Sequence, residues 1–167
     1  MPQSVIAAWK EELHWIERRE DADSEVWEEQ RRELHRRLAV YEDAGHGACH
    51  LRRAEMARLV EGALRHFDGE RYVLIAWYIM PNHVHTFIRT REGWPAGHVV
   101  QSWKRHTSWE ANQLLGGDGS FWALDYYDRF IRDEAHFWRA LDYIHRNPVK
   151  AGLCESLLDW EWSSARE

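Results

Sequence analysis

Cysteine is nearly absent. Cys49 and Cys154 stand far apart with no C-x-x-C pattern, which argues against a disulfide framework or a thiolate zinc site and fits a reducing compartment. No run approaches the roughly 18 apolar residues of a membrane span, and the first residues lack the basic stretch and apolar core of a secretory leader. A soluble, cytoplasmic protein with no membrane partner is expected. Basic excess is missing too: the formal charge is −6 and the pI near 6.0, unlike a generic polyanion binder. That exclusion is weak locally, because residues 71 to 150 carry ten Lys/Arg against eight Asp/Glu and the acidity sits mainly in the N-terminal part. Nor is there an internal repeat or a low-complexity segment. A chain of 167 residues then suits one domain with a real core, residues 1–167, opening with an acidic helical part at 1–45.

What is present is aromatic and periodic. Eleven Trp are spread over helical and strand-like segments, most as packing residues and a minority available to stack on bases. Val5, Ile6, Trp9, Leu13 and Ile16 recur at helical spacing over residues 4 to 19 behind Ser4 as N-cap. Asp21-Ala22-Asp23-Ser24 breaks this helix. A second, from Glu25 to about Tyr41, is rich in Glu and Arg that can pair at i, i+4 on a solvated face. After the Gly45-His46-Gly47 joint, Met56 to Phe67 marks a third helix ended by Asp68-Gly69. The period then changes. Tyr72 to Ile79 is β-branched and aromatic, Pro81-Asn82 signals a turn, and Val84 to Thr90 completes a hairpin. A helix from about Gly97 to Leu115, a loop at Gly116-Gly117-Asp118-Gly119 and a strand from Phe121 to Ile131 follow. Asp133 caps a last helix that should stop near Asn147-Pro148, since a residue before proline is pushed out of the α region. The aromatic tail Trp160-Glu161-Trp162-Ser163-Ser164 is expected to pack back on the domain.

The chemistry gathers at Met80-Pro81-Asn82-His83-Val84-His85. On a strand, residues i and i+2 share a face, so His83 and His85 point together and form the start of a divalent-metal site. Two half-exposed histidines are the ordinary alternative. On the last helix Tyr143 and Asn147 lie four apart and share a face. If that face lies over the histidines, a phenol and an amide oxygen join two imidazoles in a site suited to Mg²⁺, Mn²⁺ or Zn²⁺. A core tyrosine and a helix cap remain the simpler readings of each residue alone.

These residues, with Tyr126-Tyr127-Asp128-Arg129-Phe130-Ile131-Arg132, the block from Asp142 to Leu153 and the Trp160 to Ser164 tail, occur in an order that resembles the REP-associated tyrosine transposases, single-tyrosine members of the HUH group of DNA-cleaving enzymes. The resemblance covers roughly residues 50 to 164. It implies an α+β, ferredoxin-like fold, an antiparallel sheet with packed helices, and action on single-stranded DNA that forms hairpins. It further implies metal binding by His83, His85 and Asn147, with Mg²⁺ or Mn²⁺ as the cofactor, and Tyr143 as the nucleophile. Tyr126 and Tyr127 rank below Tyr143 because they lack its i+4 oxygen partner. Lys104, Arg105, Arg129, Arg132, Arg146 and Lys150 become candidates for phosphate contacts, and Trp103 and Trp109 for base stacking, with core packing the better reading of Trp103. One departure stands out. The family opens with a strand inside the sheet, whereas this sequence starts at a helix, so the histidine strand is expected to lack a neighbour unless another segment, or a second copy in a homodimer, fills the gap. A catalytically inactive hairpin-DNA binder is the alternative that this departure suggests. A structural zinc site in an unrelated α+β protein is a further one.

Overall fold

The computed structural model describes residues 3–19, 25–124 and 126–167. The chain divides into two compact units, Met1–His46 and Gly47–Glu167, so the boundary falls in the Gly45-His46-Gly47 joint.

The first unit holds α1 (Gln3–Glu17) and α2 (Glu25–Asp43). The side chain of Ser4 and the Asp21-Ala22-Asp23-Ser24 break lie outside the described residues. Ile16, Leu34 and Leu38 are buried, and the rings of Trp15 and Trp27 meet edge to face at 5.4 Å with the Arg19 guanidinium over both. The charges of α2 pair along its surface at i, i+3 as well as at the expected i, i+4 spacing. Arg36 and Arg37 reach Glu33 at 2.7 and 2.8 Å, and their hydrogen bonds hold its carboxyl at about 2.

The second unit is built on a hairpin. Strands β1 (Tyr72–Ile79) and β2 (Val84–Thr90) pair antiparallel, closed at the turn by the Met80 N–H donating to the His83 carbonyl at 2.8 Å. Helices α3 (Ala54–His66) and α4 (Ala96–Leu115) pack on one face and α5 (Glu134–Lys150) on the other, an α+β arrangement. The sheet carries a bulge: Leu74 pairs with Ile88 and Ala76 with Phe87, which leaves Ile75 as the extra residue. Because strand side chains alternate, this one-residue slip puts Leu74 with Trp77 and Ile79 on the α3 side, while Ile75 joins Ala76, Tyr78 and Phe87 toward α5. Tyr72 also serves the α3 and α4 side. It is fully buried, its hydroxyl donates to the Leu64 carbonyl at 2.7 Å, and it accepts from the Trp103 indole at 2.9 Å. Trp103 is therefore a packing residue. Tyr72→Phe keeps the ring and removes both bonds, so it should lower unfolding free energy by about 2 kcal/mol, read by urea denaturation; an unchanged midpoint would show that the hydroxyl carries no stability.

Two expectations are corrected. Residues 121–131 form no strand; apart from Asp125, outside the described residues, they run as irregular chain. A strand needs a neighbouring strand for its backbone groups, and here side chains of α4 hold the stretch instead, taking two of its carbonyls and one of its indoles. The Lys104 ammonium donates to the Ala123 and Leu124 carbonyls at 2.9 and 3.2 Å, and the Trp122 indole donates to Thr107 Oγ1 at 2.7 Å. Apolar content alone suggested a strand, yet Leu124 and Phe130 are 93% and 82% exposed. The second correction is α5, which runs through Pro148 to Lys150. A proline inside a helix removes one N–H bond and crowds the preceding turn, but Pro148 sits in the last turn. The loss is confined there, and the helix closes beyond it with Ala151 N–H on the Asn147 carbonyl and Gly152 at φ +71°.

The tail packs back as expected. Ile79 N–H donates to the Trp162 carbonyl at 2.9 Å, the Trp160 indole donates to the Ile79 carbonyl at 3.0 Å, and Tyr78 bridges to Ser163. This covers the outer edge of β1. Among the described residues no strand pairs with the outer edge of β2, so the strand carrying His85 is an edge strand of a two-stranded sheet. No described helix is long and apolar enough to cross a membrane.

Candidate active site

The hairpin register sets the geometry. Ile79 faces Val84, so Tyr78 faces His85, and both lie on the α5 side. Their rings stack at 4.9 Å with planes 20° apart. His83, in the turn, meets His85 edge to face at 5.1 Å, so the two imidazoles converge as their spacing predicts. Asn82 Oδ1 lies 2.9 Å from His83 Nδ1. An amide oxygen only accepts, so Nδ1 carries the hydrogen and Nε2 the lone pair.

Helix α5 brings the other half of the site across the sheet. Asp133 caps it, accepting from His136 N–H at 2.6 Å, and Ile144, Phe137 and Leu141 anchor its inner face against Tyr78, Met80 and Phe87. Tyr143 lies 5.8 Å from His85, edge to face. Asn147, one turn on, is 2% exposed. Its Nδ2 donates to the Tyr78 hydroxyl and, at 3.3 Å, to the Tyr143 hydroxyl. Both phenols thus fix which way the amide turns. The Lys150 ammonium stands 5.5 Å from the Tyr143 ring centroid, close enough for a cation–π contact. The structure therefore brings His83 and His85 of the hairpin together with Tyr143, Asn147 and Lys150 of α5.

The remaining candidates lie elsewhere. Lys104 holds the Ala123 and Leu124 carbonyls. Arg105 is on the exposed face of α4. Arg146 pairs with Asp142 at 2.5 Å on the outside of α5, and Arg129 and Arg132 are exposed on the irregular stretch before it. Tyr126 packs by α4, with its hydroxyl 3.3 Å from where a Cβ at Gly97 would stand and its ring 5.7 Å from Lys104; burial raises its phenol pKa. Tyr127 is exposed.

Tyr78 is the site residue that sequence reasoning missed. Its signal was available: with Ile79 and Val84 flanking a four-residue turn, Tyr78 must oppose His85. On the far side of α5, His145 Nε2 lies 3.2 Å from Ser164 Oγ, which in turn accepts from Trp77 N–H and donates to the Trp77 carbonyl. Burial lowers the His145 pKa. This contact ties the helix bearing Tyr143 to the tail and β1.

No family model matches the chain. A Haemophilus influenzae protein provisionally named a REP-associated tyrosine transposase is 27% identical over 100 residues, 54% of this chain and 57% of its own length. A solved structure of a REP-associated tyrosine transposase bound to a REP hairpin superposes with a TM-score of 0.55 at 23% identity, over 64% of this chain and 63% of that one. The matched part thus spans less than two thirds of either protein, and the solved structure shares the fold. In sequence and in fold alike, the chain is similar to the REP-associated tyrosine transposases.

Proposed function

We propose that the chain is a metal-dependent single-stranded DNA endonuclease and strand transferase, a transposase acting on hairpin-forming repeat DNA in the cytoplasm, at the nucleoid. The observation that carries this reading is the meeting of Tyr143 and Asn147, neighbours on α5, with His85 on β2. A packing tyrosine needs no such neighbours. The solved relative bound to a REP hairpin supports hairpin DNA as the substrate.

The donor set fits a divalent cation. Two imidazoles converge on one face, one with its tautomer fixed by Asn82, and the Asn147 amide is oriented by the two phenols to which its nitrogen donates. His83, His85 and Asn147 would hold Mg²⁺ or Mn²⁺, which when bound supplies positive charge against a phosphate oxygen. The protein's own part is positioning. The Tyr143 oxygen attacks the scissile phosphorus and forms the O–P bond as the bond to the 3′ oxygen breaks. The phenol loses its proton and the departing oxygen gains one. A 5′-phosphotyrosine and a 3′-hydroxyl result, and because the link keeps the phosphodiester energy, rejoining needs no ATP. Lys150 stands where a cation favours the anionic phenol. Lys104, Arg105, Arg129, Arg132, Arg146 and Lys150 supply charge along the strand.

The test is incubation with Mn²⁺ and an end-labelled hairpin oligonucleotide. A covalent adduct that survives denaturing electrophoresis is expected, and it should vanish in EDTA. Salt-sensitive binding without adduct would instead support an inactive hairpin-DNA binder. Neither binding nor adduct would overturn both.

A further inference from the structure

One buried side chain touches all three of the groups proposed to hold the cation. Tyr78 is fully buried on β1, and its ring stacks on His85 with centroids 4.9 Å apart and planes 20° from parallel. The ring of His83 meets it edge to face at 6.2 Å, and its hydroxyl accepts from Asn147 Nδ2. Packing accounts for the ring but not for the hydroxyl, whose burial is unfavourable unless it is bonded. The other buried side chains of this cluster, Ala76, Met80, Phe87 and Ile144, offer the amide no oxygen. Tyr143 does, over a long 3.3 Å. An asparagine amide has two orientations of nearly the same shape, which exchange its nitrogen with its oxygen. Reversed, the Asn147 amide would need both phenols as donors, and the Tyr143 oxygen has no hydrogen to give once it attacks.

We propose that Tyr78 is a positioning residue for the cation site: its ring sets the plane of His85, and its hydroxyl sets the turn of the Asn147 amide, with the nitrogen toward the phenols and the oxygen on the opposite branch. The proposal rests on the reading of His83, His85 and Asn147 as metal ligands. Tyr78 acts through them. A ligand already held by a partner loses less freedom when an ion binds, and removing such a partner typically weakens metal affinity by about 10–100-fold. Because Tyr78 belongs to β1, one side chain couples the hairpin half of the site to the α5 half.

The test compares Tyr78→Phe with Tyr72→Phe in the full chain. Each loses a buried hydroxyl, but Tyr72 lies on the α3 and α4 side of the sheet, so a general loss of stability affects both variants and a loss of alignment only the first. Calorimetric titration with Mn²⁺ alone should give an affinity about tenfold weaker, or more, in Tyr78→Phe and a parent-like affinity in Tyr72→Phe. Adduct formation in Tyr78→Phe should need more Mn²⁺ by the same factor and recover most of its rate at saturation, while hairpin affinity in EDTA is unchanged. In the parent without Mn²⁺, NMR should find the side-chain amide hydrogens of Asn147 exchanging with solvent roughly tenfold more slowly than those of an exposed asparagine. Fast exchange there overturns the proposal even if Tyr78→Phe does not fold. So does a parent-like Mn²⁺ affinity in Tyr78→Phe, or an equal loss in Tyr72→Phe; if the parent still forms the Mn²⁺-dependent adduct, the proposed function survives those results. A parent that binds no Mn²⁺ overturns the proposal, and one that also forms no adduct overturns the proposed function with it.

Discussion

Tyr143→Phe is expected to abolish the covalent adduct with hairpin DNA, a loss on the order of 10⁴-fold or more in rate, while binding and folding persist. The separation follows from where the oxygen sits. Tyr143 is half-buried and its hydroxyl accepts from Asn147 over 3.3 Å, a long bond near the edge of the useful range. Its removal should change unfolding free energy by less than about 1 kcal/mol. The ring remains beside His85 and Lys150. Only the attacking atom is gone, and no neighbouring group can replace an oxygen that must bond to phosphorus. Tyr126→Phe and Tyr127→Phe provide the contrast. Tyr126 lies by α4 and Tyr127 is exposed, so both variants should keep the adduct. Denaturing electrophoresis followed by peptide mapping decides the matter. An adduct that persists in Tyr143→Phe would move the nucleophile to another residue.

The hairpin was readable because two periods change there. β-branched and aromatic runs flank Pro81-Asn82, and β1 and β2 have the expected bounds. The His83 and His85 convergence was readable from their i, i+2 spacing, although His83 ends the turn and only His85 lies on β2. The bulge at Ile75 was not, because Val73, Leu74, Ile75 and Ala76 are apolar on both faces and such a run hides its register. Local pattern also misled at residues 121–131, where composition favours a strand and the tertiary structure supplies Lys104 and Thr107 as partners in place of one. At Pro148 the local rule was sound, but its cost is small in a last turn. Tyr78 escaped notice because a buried aromatic on a strand that is apolar on both faces has a sufficient explanation in packing. Its hydroxyl's partner, Asn147, is sixty-nine residues away, and only the fold shows that connection.

That connection makes Asn147 the place where stability and chemistry are least separable. At 2% exposure its amide donates to two phenols, one of which stacks on His85. Asn147→Leu is close in volume and removes the donor from both phenols, so it should cost about 2–3 kcal/mol in unfolding free energy and eliminate adduct formation together with one proposed metal ligand. Asn147→Asp separates the two effects. A carboxylate only accepts when ionised, but Tyr78 and Tyr143 can each reverse their bond and donate to it, and an oxygen ligand is retained. The remaining cost is a buried negative charge, and a divalent cation held by His83 and His85 would offset it. Mn²⁺ should therefore raise the Tm of Asn147→Asp by more than it raises that of the parent, a difference measured by differential scanning calorimetry with EDTA as the reference. In His83→Ala/Asn147→Asp the added stabilisation should disappear. If Mn²⁺ moves the Tm of neither parent nor Asn147→Asp, these side chains do not form a cation site, and their convergence is packing around Tyr78.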